Sequence, residues 1–240
     1  MQATHLLAGP ASWLAALVAV VLTAGLSALY VAVSAVTPGV PGAPTGPTST
    51  ELGFVACSAL VLVALVAGCV VAGQEWASGQ QCYVLAAVPR RGALLAARWG
   101  VTGLFWGGAG AVAGSAVVLI ARWLAPDAVH PSVLQTLQLV AGSALAAGMA
   151  AVLGVSLATL LRSTLWSVVT AVLVATVLPV FLSSLPQVRW LLPAGSLTAL
   201  ASLPSEQPDV LQPGVGLAVA LGWSLVVGAA AWWRLTRDDV

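Results

Sequence analysis

Lysine is absent from this chain of 240 residues, so all eight basic residues are arginine. Without lysine the chain has no GxxxxGK[ST] phosphate-binding loop, because that loop uses its lysine to reach the nucleotide phosphates. The sequence therefore excludes ATP hydrolysis by that route within this chain. A net charge of +1 also gives no reason to expect nucleic-acid binding, which requires clustered cations for the phosphates.

Side chains that bind metals or perform catalysis are also scarce. The two histidines, His5 and His130, lie far apart, and the three cysteines, Cys57, Cys69 and Cys82, are irregularly spaced. This pattern provides neither a zinc-ligand cluster nor a disulfide framework. There is no GxSxG motif, and no carboxylate lies inside an apolar run, where proton-driven transporters usually keep one. We therefore expect no catalytic residue, no metal site and no cofactor in this chain.

Charge of either sign is rare, at 6% of residues, whereas 60% are hydrophobic. A soluble domain carries about a quarter charged residues, so most of this surface is expected to face lipid. A helix needs ~20 apolar residues to cross ~30 Å of hydrocarbon, and isolated strands cannot satisfy their backbone there. The sequence predicts one all-α membrane domain over residues 1–240 with six transmembrane helices. They are Trp13–Val36, Phe54–Ala72, Trp99–Ala121, Thr136–Leu161, Leu165–Leu182 and Val215–Trp233.

The arginines predict the orientation of these spans. Six of the eight lie on the side that holds both termini, and the cytoplasmic side of a membrane is the more basic. We therefore expect a multi-pass protein of the cell membrane with cytoplasmic N- and C-termini. On the outer side, the apolar segment Trp190–Pro204 is too short to cross and is interrupted by prolines. Short interfacial or re-entrant helices fit this segment better than an ordinary surface loop.

The most polar stretch among the apolar runs is GQEWASGQQCYVLAAVPRR, residues Gly73–Arg91, on the predicted cytoplasmic side. Glu75–Val88 is long enough for a short helix that places Trp76 and Tyr83 on one face. Pro89 would end it, because the residue before a proline leaves helical geometry. Such a helix could present its aromatic face to a cytoplasmic partner. A polar connector anchored at the interface by arginine and tryptophan explains the same residues.

Small residues recur at helical spacing in two spans and predict close helix packing, as in other membrane proteins. The third span carries Gly100, Gly103, Gly107, Gly110 and Gly114 on one face. The fourth carries Gly142, Ala146, Ala150, Gly154 and Ala158, four residues apart.

The first span carries a row of hydroxyl groups on one face: Thr23, Ser27, Tyr30 and Ser34. The row could line a substrate path at a dimer interface. Alternatively, serine and threonine hydroxyls bond the carbonyls of the preceding helical turn, which would make the row purely structural.

The stretch Gly73–Trp99 resembles the intracellular loop of type-2 ABC transporter permeases. The matching positions are Glu75, Trp76, Gly79, Leu85, Pro89, Arg91 and Arg98. The similarity continues in Leu153–Thr164, which is similar to the turn between the fourth and fifth spans of that family. Leu191–Pro193 and the tail Arg234–Val240 also resemble family segments, so the resemblance covers nearly the whole chain.

This resemblance implies a six-span permease subunit that pairs with a second permease copy or homologue and binds two cytoplasmic ATPase subunits. Those partners would hold the ATP and magnesium. The segment 75–89 would be the coupling helix that seats in the ATPase. Its implied contact residues are Glu75, Trp76, Gly79, Tyr83, Pro89, Arg90 and Arg91. One departure is the N-terminal stretch Met1–Ser12, which lacks the basic amphipathic helix common in these permeases.

The expected function is thus the membrane subunit of an ATP-driven exporter. The mostly apolar interior favours a hydrophobic, amphiphilic or peptide-like substrate over an ion. Two alternatives from other classes are a non-transporting membrane scaffold or sensor and a secondary transporter. A co-purifying ATPase would separate the exporter from both.

Overall fold

The computed structural model describes residues 49–79, 91–124, 132–182, 191–201 and 211–237, together with eight positions between Leu14 and Ala28. Across these residues the chain is helical apart from short turns, without a β-strand. The helices are α1 (Ser49–Ala77), α2 (Arg91–Leu124), α3 (Val133–Leu161), α4 (Thr164–Phe181), α5 (Pro193–Leu200) and α6 (Pro213–Arg237).

Five of these helices, all except α5, are long and apolar enough to cross a membrane. The predicted all-α membrane class is therefore confirmed, and the chain has the character of a multi-pass membrane protein. The first predicted span, Trp13–Val36, lies mostly outside the described residues, although its eight described positions are helical. The sixth span therefore stays a prediction.

The prediction that a separate helix begins at Glu75 is wrong. Glu75 lies near the end of α1, which runs from Ser49 to Ala77 without a break. The helix ends because Gly79 adopts a φ of +70°, a left-handed conformation that glycine enters without steric cost. The N–H of Ser78 still bonds the carbonyl of Gln74 at 2.9 Å. Residues 80–90, where the rest of the predicted coupling helix falls, lie outside the described residues.

Helix α3 lies at the centre of the described bundle and contacts α1, α2, α4, α5 and α6. It starts three residues before the predicted Thr136, because Ser132 and Gln135 form a capping box that satisfies the first backbone N–H groups. The predicted row of small residues on α3 is buried. Gly142, Ala146, Ala150, Gly154 and Ala158 all lie in the interior.

Close backbone contacts hold α1 against α3. A Cβ atom added at Gly68 would lie less than 3.0 Å from the carbonyl oxygen of Ala151. One added at Gly154 would lie equally close to the carbonyl oxygen of Leu65 and 2.9 Å from the N atom of Cys69. Glycine at both positions lets the two backbones approach, which increases van der Waals contact where no hydrophobic effect drives association.

The glycine face of α2 meets α3 over part of its length. A Cβ atom added at Gly110 would lie 2.5 Å from the carbonyl oxygen of Ser143. One added at Gly114 would lie even closer to the hydroxyl oxygen of Ser143. Gly103 and Gly107 have more room, with nearest neighbours at 3.2 and 3.5 Å, and Gly100 has no described atom within 4 Å. Ser143 adds an interhelical hydrogen bond of 3.0 Å from its hydroxyl to the Gly110 carbonyl.

The predicted non-crossing segment before the last span contains α5, a helix of eight residues. Pro193 opens it, where the missing N–H of proline is not needed. Its C-terminal half is buried, with the carbonyl of Leu200 against Gly142 of α3 and the carbonyl of Ser196 against Gly216 of α6. Helix α5 thus packs against the spans at the end of the bundle where α6 begins.

Candidate functional site at the arginine end of the bundle

Five helix ends meet at one end of the bundle, which we call the arginine end: the end of α1, the start of α2, the end of α3, the start of α4 and the end of α6. A Cβ at Gly73 of α1 would lie 2.7 Å from the Oγ1 atom of Thr164 at the start of α4. A Cβ atom added at Gly92 of α2 would lie similarly close to the indole ring of Trp232 of α6. The antiparallel helix order therefore gathers five of the six arginines predicted on the cytoplasmic side, Arg91, Arg98, Arg162, Arg234 and Arg237.

Glu75 of α1 and Arg98 of α2 form an ion pair at this end. Their side chains are only 14% and 10% exposed, so both charges are largely withdrawn from solvent. A charge in such a place is stable only when it is paired, since its desolvation costs several kcal/mol. The pair therefore ties the last turns of α1 to the first turns of α2.

Trp76, the next residue of α1, contacts the turn between α3 and α4. The guanidinium carbon of Arg162 lies 5.0 Å from the centre of the Trp76 ring, within the range of a cation–π interaction. Arg162 caps α3 with a φ of +55°, and its N–H bonds the carbonyl of Ala158 at 2.8 Å. The last turn of α1 thus contacts α2 through Glu75 and the α3–α4 turn through Trp76.

Helix α6 joins the same end through a tryptophan pair and an arginine. The ring centres of Trp99 and Trp232 lie 6.4 Å apart at an interplanar angle of 38°. A guanidinium N–H of Arg234 donates to the carbonyl of Leu160 in the last turn of α3. This bond satisfies one of the carbonyls that a helix C-terminus leaves without an internal partner.

The buried polar atoms at the arginine end that have no hydrogen-bond partner among the described residues include Trp76 Nε1, Trp99 Nε1 and Thr164 Oγ1. A buried polar group left without a partner costs about 1–3 kcal/mol. Within the described bundle, polar groups at the arginine end therefore lack more of their hydrogen-bond partners than those at the α2–α3 contact, where the Ser143 hydroxyl bonds across the helices.

The predicted site residues fall into three groups. Glu75, Trp76 and Gly79 are described and lie at the arginine end, and Arg91 is the first residue of α2. Tyr83, Pro89 and Arg90 lie outside the described residues. The predicted hydroxyl row also lies outside them, at Thr23, Ser27, Tyr30 and Ser34. Among the described residues there is no group of three or more potential metal ligands.

The contact between Trp76 and Arg162 is not predicted by the sequence pattern. These residues are far apart in sequence and belong to different spans, so no helical spacing connects them. The predicted topology does place both residues at the ends of spans on the same side of the membrane, which is the one feature of the sequence that relates them. The same holds for the pairing of Glu75 with Arg98, which lie in different spans.

No protein-family model matches this sequence, and no curated protein is significantly similar to it.

Proposed function

We propose that this chain is the membrane-spanning permease subunit of an ATP-binding cassette exporter. In this proposal it pairs with a second permease and binds two cytoplasmic ATPase subunits, which hold ATP and magnesium. It moves a hydrophobic, amphiphilic or peptide-like substrate outward, and residues 1–240 act as one permease domain. The support is the resemblance of Gly73–Trp99 to the intracellular loop of type-2 permeases, together with the geometry of the residues that flank this loop.

The observation that carries the proposal is the Glu75–Arg98 ion pair. The proposed coupling segment, residues 75–89, begins in the last turn of α1 and precedes α2 in the chain. Its two flanking helices are joined to each other by this largely buried pair. With this ion pair in place, a force on the segment moves α1 and α2 together instead of separating them.

A second connection extends this tie to the rest of the bundle. Trp76 contacts Arg162, and α3 is bound to α6 through Arg234 and the Leu160 carbonyl. A displacement at the end of α1 is therefore passed to the α3–α4 turn and to α6. Rigid-body movement through packed interfaces is one of the ways in which a local push becomes a change of access.

The proposal is tested by purifying the tagged chain from its native membrane in mild detergent and identifying bound proteins by mass spectrometry. We expect a nucleotide-binding ATPase to co-purify with the unaltered chain. A variant with residues 80–90 replaced by a glycine/serine linker of equal length should insert normally and lose the ATPase. If no ATPase co-purifies with the unaltered chain, or if the linker variant retains it fully, the proposal fails.

A further inference from the structure

A cavity of about 300 Å³ lies between α1, α4 and α5, at the end of the bundle opposite the arginine end. Its wall includes Ser58 and Val61 of α1, Thr176 and Pro179 of α4, and Thr198 of α5. Ser58 is 17 residues before Glu75, which corresponds to about 26 Å along a helix at ~1.5 Å per residue. The cavity and the Glu75–Arg98 pair are therefore separated by nearly the thickness of a hydrocarbon core.

The wall contributed by α4 departs from α-helical geometry. Residues Leu173–Val177 form a π-helical segment, in which the N–H of Leu178 bonds the carbonyl of Leu173. Two residues after that segment, Pro179 has no N–H, so the carbonyl of Ala175 receives no α-helical hydrogen bond. Single π-helical turns inside α-helices are frequent at functional sites. Here the π segment supplies Ala175 and Thr176 to the cavity wall.

The described wall has three hydroxyl groups, and those of Thr176 and Thr198 already donate their protons within the protein. Thr176 donates its hydroxyl proton to the Val172 carbonyl at 2.6 Å, and Thr198 donates to the Gly195 carbonyl at 3.0 Å. A hydroxyl has one proton and two acceptor lone pairs, so both oxygens remain acceptors. The wall therefore offers these two acceptors, and its described lining residues carry no ionisable side chain.

From this chemistry we propose that the cavity binds an uncharged amphiphile with an apolar body and a head that donates a hydrogen bond, such as a long-chain alcohol. Most of the remaining wall is alanine, valine, leucine and proline, which suits an alkyl body. A volume of about 300 Å³ is at the small end of known ligand sites, which span ~300–1,000 Å³. A charged head would find no side chain of opposite charge among the described wall residues.

The site does not depend on the proposed transport function, because binding requires this chain alone. The test therefore uses the full chain in lipid nanodiscs without any ATPase. Two photoreactive probes are compared: a long-chain alcohol that carries a diazirine on its chain, and the methyl ether of the same alcohol. The two share an alkyl body, but only the alcohol can donate. Labelled residues are located by peptide mass spectrometry.

We expect the alcohol to label residues of the cavity wall about threefold to tenfold more than the ether, the ratio that one net hydrogen bond provides. Thr176→Val removes one acceptor and keeps the shape, so it should lower this ratio. Thr170→Val, in the same helix but away from the wall, should leave it unchanged. Equal labelling of the wall by both probes, labelling only of lipid-facing surfaces, or a ratio that Thr176→Val does not change would each overturn the proposal.

Discussion

The carboxylate of Glu75, two residues before the end of α1, pairs with the guanidinium of Arg98 in the second turn of α2. Both side chains are largely shielded from solvent. Because α1 ends at Ala77 and α2 begins at Arg91, the pair joins the two helices just where the chain leaves one and enters the other. The pair therefore acts first as a structural tie between two helix ends.

Removing either partner should destabilise the folded chain. Glu75→Ala or Arg98→Ala leaves the other charge buried without this counter-charge, which typically costs about 3–5 kcal/mol. The double variant should lose less than the sum of the two single variants, with a coupling energy of about 0.5–3 kcal/mol. The measurement is the free energy of unfolding in detergent for the parent, the two single variants and the double variant.

Arg237→Ala is the matched control for this cycle. Arg237 is exposed, and its guanidinium carbon lies 4.8 Å from the centre of the Trp233 ring. An exposed cation–π contact contributes about 0.5–1 kcal/mol, so the control should be much milder. Strict additivity of the Glu75 and Arg98 variants would mean that the pair contributes nothing as a pair.

Two glycines of α2 should respond differently to alanine. At Gly110 an added Cβ would lie 2.5 Å from the Ser143 carbonyl oxygen, so Gly110→Ala should destabilise by about 1–3 kcal/mol through overpacking. At Gly108 no described atom lies within 4 Å, and Gly108→Ala should be neutral or stabilising by up to about 1 kcal/mol because alanine favours the helix. The stabilities of the two variants are compared by thermal unfolding. Equal effects would contradict the packing described for α2 and α3.

The left-handed cap at Arg162 gives a third prediction. Arg162→Gly and Arg162→Ala both remove the guanidinium that contacts Trp76, but only alanine keeps the steric cost of a φ of +55°. The glycine variant should therefore be more stable than the alanine variant by about 1–2 kcal/mol, measured as the free energy of unfolding in detergent. A more stable alanine variant would show that the backbone at this turn is not left-handed.

Hydropathy predicted the positions of the five described spans but not the residues at which their helices begin and end. Those residues depend on the side chains next to each helix end. Gln74 and Glu75 are polar, so the apolar run stops at Ala72, yet both residues continue a helix well and α1 runs on to Ala77. The early start of α3 was readable, because Ser132 and Gln135 have the spacing of a capping box.

The contacts of the candidate site could not be predicted in the same way. Glu75 and Arg98 are 23 positions apart, and their pairing depends on α1 and α2 being antiparallel neighbours. The glycine row on α2 predicted a packing face, but the sequence could not indicate that Gly100 has no described neighbour within 4 Å while Gly110 meets Ser143. Periodicity indicates the face of a helix, and the crossing point depends on the partner helix.

The orientation in the membrane is tested by labelling single cysteines in intact cells, after Cys57, Cys69 and Cys82 have been replaced. Val133, exposed at the start of α3, and Ser78, exposed after α1, lie at opposite ends of the bundle. Because the arginine end is predicted to be cytoplasmic, an impermeant maleimide should label Val133→Cys and should label Ser78→Cys only after permeabilisation. The reverse pattern would invert the orientation, and labelling of both from outside would contradict the topology.

The proposed function is tested most directly by reconstituting the chain in proteoliposomes with the ATPase that we expect to co-purify with it, and by measuring ATP hydrolysis by that ATPase. Tyr83→Ala removes an aromatic side chain from the proposed coupling segment. Truncation of an aromatic anchor commonly costs about 2 kcal/mol of binding or more, which is at least a roughly thirtyfold weakening. Trp233→Ala is the control, since Trp233 is 58% exposed at the same end but outside that segment. We expect Tyr83→Ala to insert normally and to lose ATPase association and coupled hydrolysis, and we expect Trp233→Ala to keep both. Full association and hydrolysis in a correctly inserted Tyr83→Ala variant would contradict the proposed function.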